Sequence, residues 1–88
     1  MEFTIENNFL CVRVQSRGAE LCSVVKKETG EEMLWQADPA VWNRHAPILF
    51  PYCGRLRGGA FTHRGVRYEG GQHGFARDME HALVEKGE

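Results

Sequence analysis

The chain of 88 residues has no surplus of charge of one sign: eleven Lys and Arg stand against twelve Asp and Glu, a formal net charge of -1. No broad electrostatic field draws in phosphate backbones or anionic lipid, so nucleic acid and membrane surfaces are not expected as partners. Long apolar runs are missing too. The longest, such as Ala46 to Phe50, fall far short of the roughly 20 residues needed to cross a bilayer. Met1 to Asn8 lacks a basic stretch followed by an apolar one, so it does not read as a secretory signal, and a cytoplasmic location is the expectation. Cysteine is sparse. Cys11, Cys22 and Cys53 are odd in number and irregular in spacing, which argues against a disulfide framework or a CxxC zinc site, and they are expected to be small buried residues. His45, His63, His73 and His81 form no HxH or HExxH pattern, so no metal is expected. Gly58-Gly59 and Gly70-Gly71 precede no helix that could cradle a phosphate, and no cofactor is expected.

What is present is a composition that folds: 42% hydrophobic and 26% charged residues lie well away from the disordered corner, and the length allows one small domain or part of a larger one. Leu10, Val12 and Val14 alternate with Cys11, Arg13 and Gln15, the period of two of a strand with one buried face. Phe3 and Ile5 alternate likewise upstream, and Asn7-Asn8 between them favours a tight turn because Asn tolerates left-handed backbone angles. The apolar run Ala19 to Val25 ends in a charged turn closed by Gly30, and Met33-Leu34-Trp35 is expected to open another strand. Asp38-Pro39 can start a single helical turn. From Ala46 to Gly59 the density of Pro and Gly predicts a long, shaped, apolar loop. Phe61 to His63 and Val66 to Glu69 read as a hairpin across Arg64-Gly65, and His81 to Lys86 as a last strand. About five to seven short strands and almost no helix make the fold class all-β. A two-sheet sandwich needs more chain than this, so a sheet face and strand edges are expected to be left uncovered, with self-association through those edges as one consequence.

Two stretches could carry chemistry. In Gln72-His73-Gly74-Phe75-Ala76-Arg77-Asp78 a glycine beside the histidine lets the backbone present an imidazole to a sugar hydroxyl or a proton. The structural alternative is a turn-capping His73 and an Arg77 paired on the surface with Asp78 or Glu80. In Pro47-Ile48-Leu49-Phe50-Pro51-Tyr52-Cys53-Gly54-Arg55 a rigid loop can aim the planar fork of Arg55 into a polar pocket. An ordinary turn salt bridge explains Arg55 equally well on spacing alone. Trp35 and Trp42 could stack on a sugar face, but packing is the commoner use of such rings.

Asn43 and His45, then Ala46-Pro47-Ile48-Leu49-Phe50-Pro51, Gly54-Arg55-Leu56, Tyr68 and Gln72-His73-Gly74-Phe75-Ala76-Arg77-Asp78 closely resemble, in order and spacing, the amino-terminal part of aldose 1-epimerase (galactose mutarotase)-like proteins. The resemblance implies an antiparallel β-sandwich of the galactose mutarotase-like supersandwich type, with residues 1–88 forming the amino-terminal part of that single domain. It implies a carbohydrate isomerase that interconverts the α and β anomers of an aldose, with Arg55 and His73 binding the sugar. His45, Phe75 and Arg77 would line the pocket wall. The family's base Glu and acid His lie beyond the equivalent of residue 88. Neither Glu85 nor Glu88 takes the base role, and the chain alone is expected to be inactive. Gly70-Gly71 departs from the more usual apolar-Pro pair, which predicts a less rigid backbone leading into His73. A second expectation, from another class, is a noncatalytic carbohydrate-binding or self-assembling β module.

Overall fold

The computed structural model describes residues 1–87; Glu88 lies outside them. Six strands form two antiparallel sheets: β1 (Glu2–Glu6), β2 (Leu10–Gln15), β3 (Leu21–Lys26) and β4 (Glu31–Glu32) in that order in one, and the hairpin β5 (Ala60–His63) and β6 (Val66–Glu69) in the other. The all-β, antiparallel expectation holds. The only helical pieces among the described residues are single 3-10 turns at Arg57–Gly59 and Ala76–Asp78, and no helix there is long and apolar enough to cross a membrane.

The β1–β2 turn closes by a different device from the one expected. Neither Asn7 nor Asn8 has a positive φ. Instead the Asn7 Oδ1 accepts the amides of Phe9 and Leu10, both at 2.8 Å, an Asx turn in which a side chain replaces a backbone acceptor. The β5–β6 turn does use left-handed backbone, with φ of 51° at Arg64 and 77° at Gly65, the twist that a two-residue hairpin needs. Between β2 and β3 the register shifts at Arg13/Val14, leaving Cys22 opposite no residue. Its thiol lies 3.4 Å from the Arg13 carbonyl. Burial first, and the Glu2 carboxylate second, push the Cys22 thiol above its ordinary range, which makes it a poor nucleophile. Cys53, by contrast, is exposed, contrary to expectation, because its loop presents it beside Gly54 on the outside.

Two strand expectations are corrected. The ladder beside β3 takes Glu31–Glu32 rather than Met33 to Trp35, because the Gly30 amide bonds back to Lys26 at 2.8 Å and delivers Glu31 directly opposite that residue. His81 to Lys86 is not a strand. This segment leaves the Arg17–Glu80 bridge and crosses the β1–β2 face, where Leu83 and Lys86 border a hollow shared with Phe3, Ile5, Val12 and Val14. A segment lying across strands meets side chains and not a ladder, so its backbone has no partner row.

Packing is thin. Cys22 and Ala76, 5% and 7% exposed, are the buried hydrophobic residues, while Ile5, Leu10, Trp35 and Trp42 remain exposed. The accessible surface of 6940 Å² exceeds the roughly 5,200 Å² expected of a compact 10.0 kDa chain. The radius of gyration, 16.5 Å, is likewise above the ~12 Å of a compact domain of this length. With extents of 54 × 34 × 18 Å, the chain is a slab with one apolar face open.

Candidate sugar site

The two motif loops are stitched together by backbone. Phe50 and Gly74 form a parallel bridge, and the Phe50 carbonyl accepts the amides of Phe75 at 3.0 Å and Ala76 at 3.3 Å. A Cβ on Gly74 would collide with the Phe50 carbonyl oxygen, so glycine is required for this approach. Four residues from Phe50, the Gly54 amide donates to Nδ1 of His73 at 2.8 Å, and the His73 amide donates to the Gly54 carbonyl at 2.8 Å. His73 itself sits at φ 64°, a sparsely populated angle for a residue with a side chain. The entry to His73 is also held: Tyr52 Oη donates to the Gly71 carbonyl at 2.6 Å, and the Gly70 amide bonds to Gly59 at 3.1 Å. A Cβ at Gly70 would strike the Tyr52 hydroxyl, which explains why glycine stands there. The backbone is thus pinned by hydrogen bonds where stiffness from proline is lacking.

A hollow of about 400 Å³ is lined by Trp42, Pro47, Leu49, Gln72, His73 and Arg77. An apolar side faces an imidazole, an amide and a guanidinium, the mixture that suits a ring with both CH faces and hydroxyls. Trp42 is placed from three sides. Asp38 accepts its amide at 2.8 Å, the Asp38 carboxylate accepts the Ala40 amide at 2.9 Å, and Trp35 Nε1 donates to the Trp42 carbonyl at 2.9 Å. The expected helical turn at Asp38 is therefore present as this tight capped bend. The Trp42 ring stays 49% exposed.

The remaining site expectations distribute over neighbouring surfaces. Arg77 lines the His73 hollow and also a second, polar one with Gln15, Arg17, Glu20, Asn43, Arg44, His45 and Asp78. His45 belongs to that second hollow, where the Glu20 carboxylate accepts its amide at 2.9 Å and lies 3.3 Å from its Nδ1. Phe75 packs edge-on against Phe50, ring centroids 6.5 Å apart, and borders a third hollow with Tyr52, Phe61 and Tyr68. Arg55 is exposed, follows Gly54 directly, and does not line the His73 hollow. Structure therefore joins His73 with Arg77 and places Arg55 next to the residue that clamps His73.

Asp78 is paired otherwise than local spacing suggests. Arg44 holds it at 3.0 Å, Arg17 lies at 3.8 Å and Arg77 at 4.0 Å. The Arg44 hydrogen bond is the main reason its carboxyl is held below the usual range. Arg77 Nε, within a side chain 19% exposed, is buried with no hydrogen-bond partner among the described residues. Trp42, Gln72 and Gly54 are the site residues that spacing alone undervalued. The Asp38-Pro39 cap preceding Trp42 is the one sequence signal that the ring is deliberately placed.

Comparison with known proteins identifies the family and the fold. The aldose 1-epimerase family model matches residues 1–88. Protein LacX, plasmid, of Lactococcus lactis subsp. lactis is 41% identical over 93 residues, covering 100% of this chain and 31% of that protein. A galactose mutarotase-like protein from Lactobacillus casei ATCC 334 superposes with a TM-score of 0.94 at 40% identity, covering 99% of this chain and 30% of that one. A galactose mutarotase related enzyme from Lactobacillus acidophilus gives a TM-score of 0.87 at 50% identity, over 91% of this chain and 27% of that one. The chain thus spans about 30% of the length of these relatives. Matched over residues 1–88, the chain belongs to the aldose 1-epimerase family.

Proposed function

We propose that this chain supplies the amino-terminal, sugar-holding part of a single-domain aldose 1-epimerase-type carbohydrate isomerase acting in cytoplasmic carbohydrate metabolism. Supporting this reading is the grouping of His73, Gln72 and Arg77 against Trp42, Pro47 and Leu49 in one hollow, in a chain of that family. In this reading His73 binds the sugar with Arg77 as a second donor in the same hollow, Arg55 reaches it from the exposed turn beside Gly54, and His45 and Phe75 shape the neighbouring hollows.

Anomer exchange removes the proton of the C1 hydroxyl, breaks the bond between C1 and the ring oxygen, and protonates that oxygen. The open aldehyde rotates about C1–C2 and recloses with the steps reversed. Each proton-transfer group contributes roughly 10²–10⁴-fold. The lining of the hollow includes no carboxylate, so a base has to come from outside it, and the 88-residue chain binds sugar without turning it over. A noncatalytic sugar-binding module is the second reading, favoured by that same missing carboxylate.

NMR exchange of α-D-galactose and α-D-glucose separates the two, using the 88-residue chain and a chain continued to the length of its relatives. The isomerase reading expects acceleration from the longer chain and none from the shorter. Saturable binding without exchange in both would support the module. A longer chain that neither binds nor exchanges sugar would refute both.

A further inference from the structure

We infer that the Gly54 amide is a positioning group that locks His73 as the Nε2–H tautomer, so that His73 meets its ligand as a fixed hydrogen-bond donor and not as a base. The observation is a single contact with unambiguous polarity. The Gly54 nitrogen lies 2.8 Å from His73 Nδ1, and a peptide N–H can only donate. Nδ1 must therefore be the bare, accepting nitrogen, and in the neutral ring the proton sits on Nε2.

The lock is built, not incidental. The same two residues exchange a second bond, from the His73 amide to the Gly54 carbonyl at 2.8 Å. Both lie in left-handed backbone, φ 91° at Gly54 and 64° at His73, and Gly74 follows at φ 75°. The glycines take these angles freely, whereas the strain at His73 persists where surrounding structure enforces it.

This assignment rests on the sugar-site reading for its ligand, whose ring or hydroxyl oxygen would accept from Nε2–H. Bases that remove the C1 proton are then assigned elsewhere. It also gives Gly54 and Arg55 a joint logic: the peptide preceding the guanidinium orients the imidazole, so both donors are set by one turn.

Long-range proton–nitrogen correlation on the 15N-histidine-labelled 88-residue chain reads the tautomer directly, with His73 identified by the peak that disappears in His73→Asn. The exposed His63 is the internal control. The expected result is a pure Nε2–H pattern for His73 beside a mixed pattern for His63. A mixed or Nδ1–H pattern for His73 overturns the lock, whether or not any sugar binds. The two variants divide its roles. Asn tolerates the left-handed angle and offers an acceptor where Nδ1 stands, so His73→Asn is expected to keep the wild-type Tm and lose galactose binding by about tenfold or more. His73→Ala is expected to lower Tm by roughly 5 °C as well. Equal Tm values for the two variants would count against the clamp. A pure Nε2–H tautomer with no saturable galactose binding would leave the lock standing and remove the sugar reading.

Discussion

Gly18 lies against the backbone of Arg77: a Cβ on Gly18 would stand 2.5 Å from the Arg77 carbonyl oxygen. Its amide donates to the Met79 carbonyl at 2.6 Å, and the neighbouring Ser16 carbonyl accepts the His81 amide at 2.8 Å. The bend between β2 and β3 is thereby the seat on which the segment following His73 rests. A local feature of the sheet thus sets the position of a side chain on the His73 hollow.

Gly18→Ala should destabilise the chain by roughly 1–3 kcal/mol through left-handed strain plus collision with fixed backbone. Gly30 is the control. It has a similar φ of 75° with nothing within 4 Å of its Cβ direction, so Gly30→Ala carries the strain alone, about 1 kcal/mol. Thermal unfolding measures both, and equal losses would deny the close approach. Only Gly18→Ala should also weaken galactose binding.

Acid should loosen the fold in a defined window. The Ser23 hydroxyl first, then the Val24 amide, hold the Glu32 carboxyl below its ordinary 4.5, and Arg44 holds Asp78 below 3.8. A folded-state value below the unfolded one means that the ionised form is favoured by folding, so the contribution is fully present above the ordinary values. It fades as pH falls from about 4.5 through the lower folded values. The part of the Tm profile owed to these two carboxyls should be level above about pH 5.5 and decline below it, and Glu32→Gln should shallow that decline. A decline unchanged in Glu32→Gln would remove Glu32 from the explanation.

Trp42→Ala should weaken galactose binding by about 0.5–1.5 kcal/mol, two- to tenfold, because the ring supplies an apolar wall beyond its area. Its cost to Tm should be small, since the ring is half exposed. Trp35→Phe, which deletes the donor to the Trp42 carbonyl together with part of the ring, should reproduce part of the binding loss. Titration by tryptophan fluorescence or NMR tests this; an unaffected affinity in Trp42→Ala would place the sugar elsewhere.

Arg55→Ala and Arg77→Ala should each weaken sugar binding by about 1.5–3 kcal/mol if each makes a charged hydrogen bond. They differ in stability. Arg77 is largely buried, so its truncation should also lower Tm, whereas the exposed Arg55 should leave Tm unchanged. Loss of Tm without loss of binding in Arg77→Ala would assign Arg77 a packing role alone.

The β1–β2 face, crossed but not filled by residues 81–87, leaves Ile5 exposed and predicts concentration-dependent association of the 88-residue chain. The surface excess of about 1,700 Å² over a compact chain is about twice the ~800 Å² that each partner contributes to a standard interface. Pairing two β1 edges about Thr4 is disfavoured, because it sets Glu2 against Glu6 of the other copy and Lys86 Nζ already bonds the Thr4 carbonyl at 3.0 Å. Association should therefore run through the face. Light scattering should show it, and Ile5→Lys should abolish it; persistence in Ile5→Lys would return the contact to the edges.

Much of the fold is legible along the chain because its signals are local. Leu10, Val12 and Val14 alternate, Arg64-Gly65 accepts left-handed angles, and Gly30 closes a turn, each within a few residues. The misreadings fall where turn register or a distant surface decides the outcome. Met33 to Trp35 lost the ladder to Glu31–Glu32, whose register is set by Lys26. His81 to Lys86 has strand-like composition, yet it lies across a sheet face that its own residues do not announce. Trp42 looked like a packing residue because nothing local says that its ring would find no cover.

At the candidate site the division is the same. Alternation and turn residues point to an all-β chain, since short-range backbone preferences are written residue by residue, and the resemblance of the two motif loops to the aldose 1-epimerase family is what names Arg55 and His73 as candidates. Which nitrogen of His73 carries the proton, that Arg44 rather than a neighbour holds Asp78, and that Trp42 and Arg77 share a hollow with His73 were decided by the folded chain. Those outcomes depend on groups 19 and 34 positions apart in the chain, and no periodicity encodes a contact that exists only after two loops have been laid side by side.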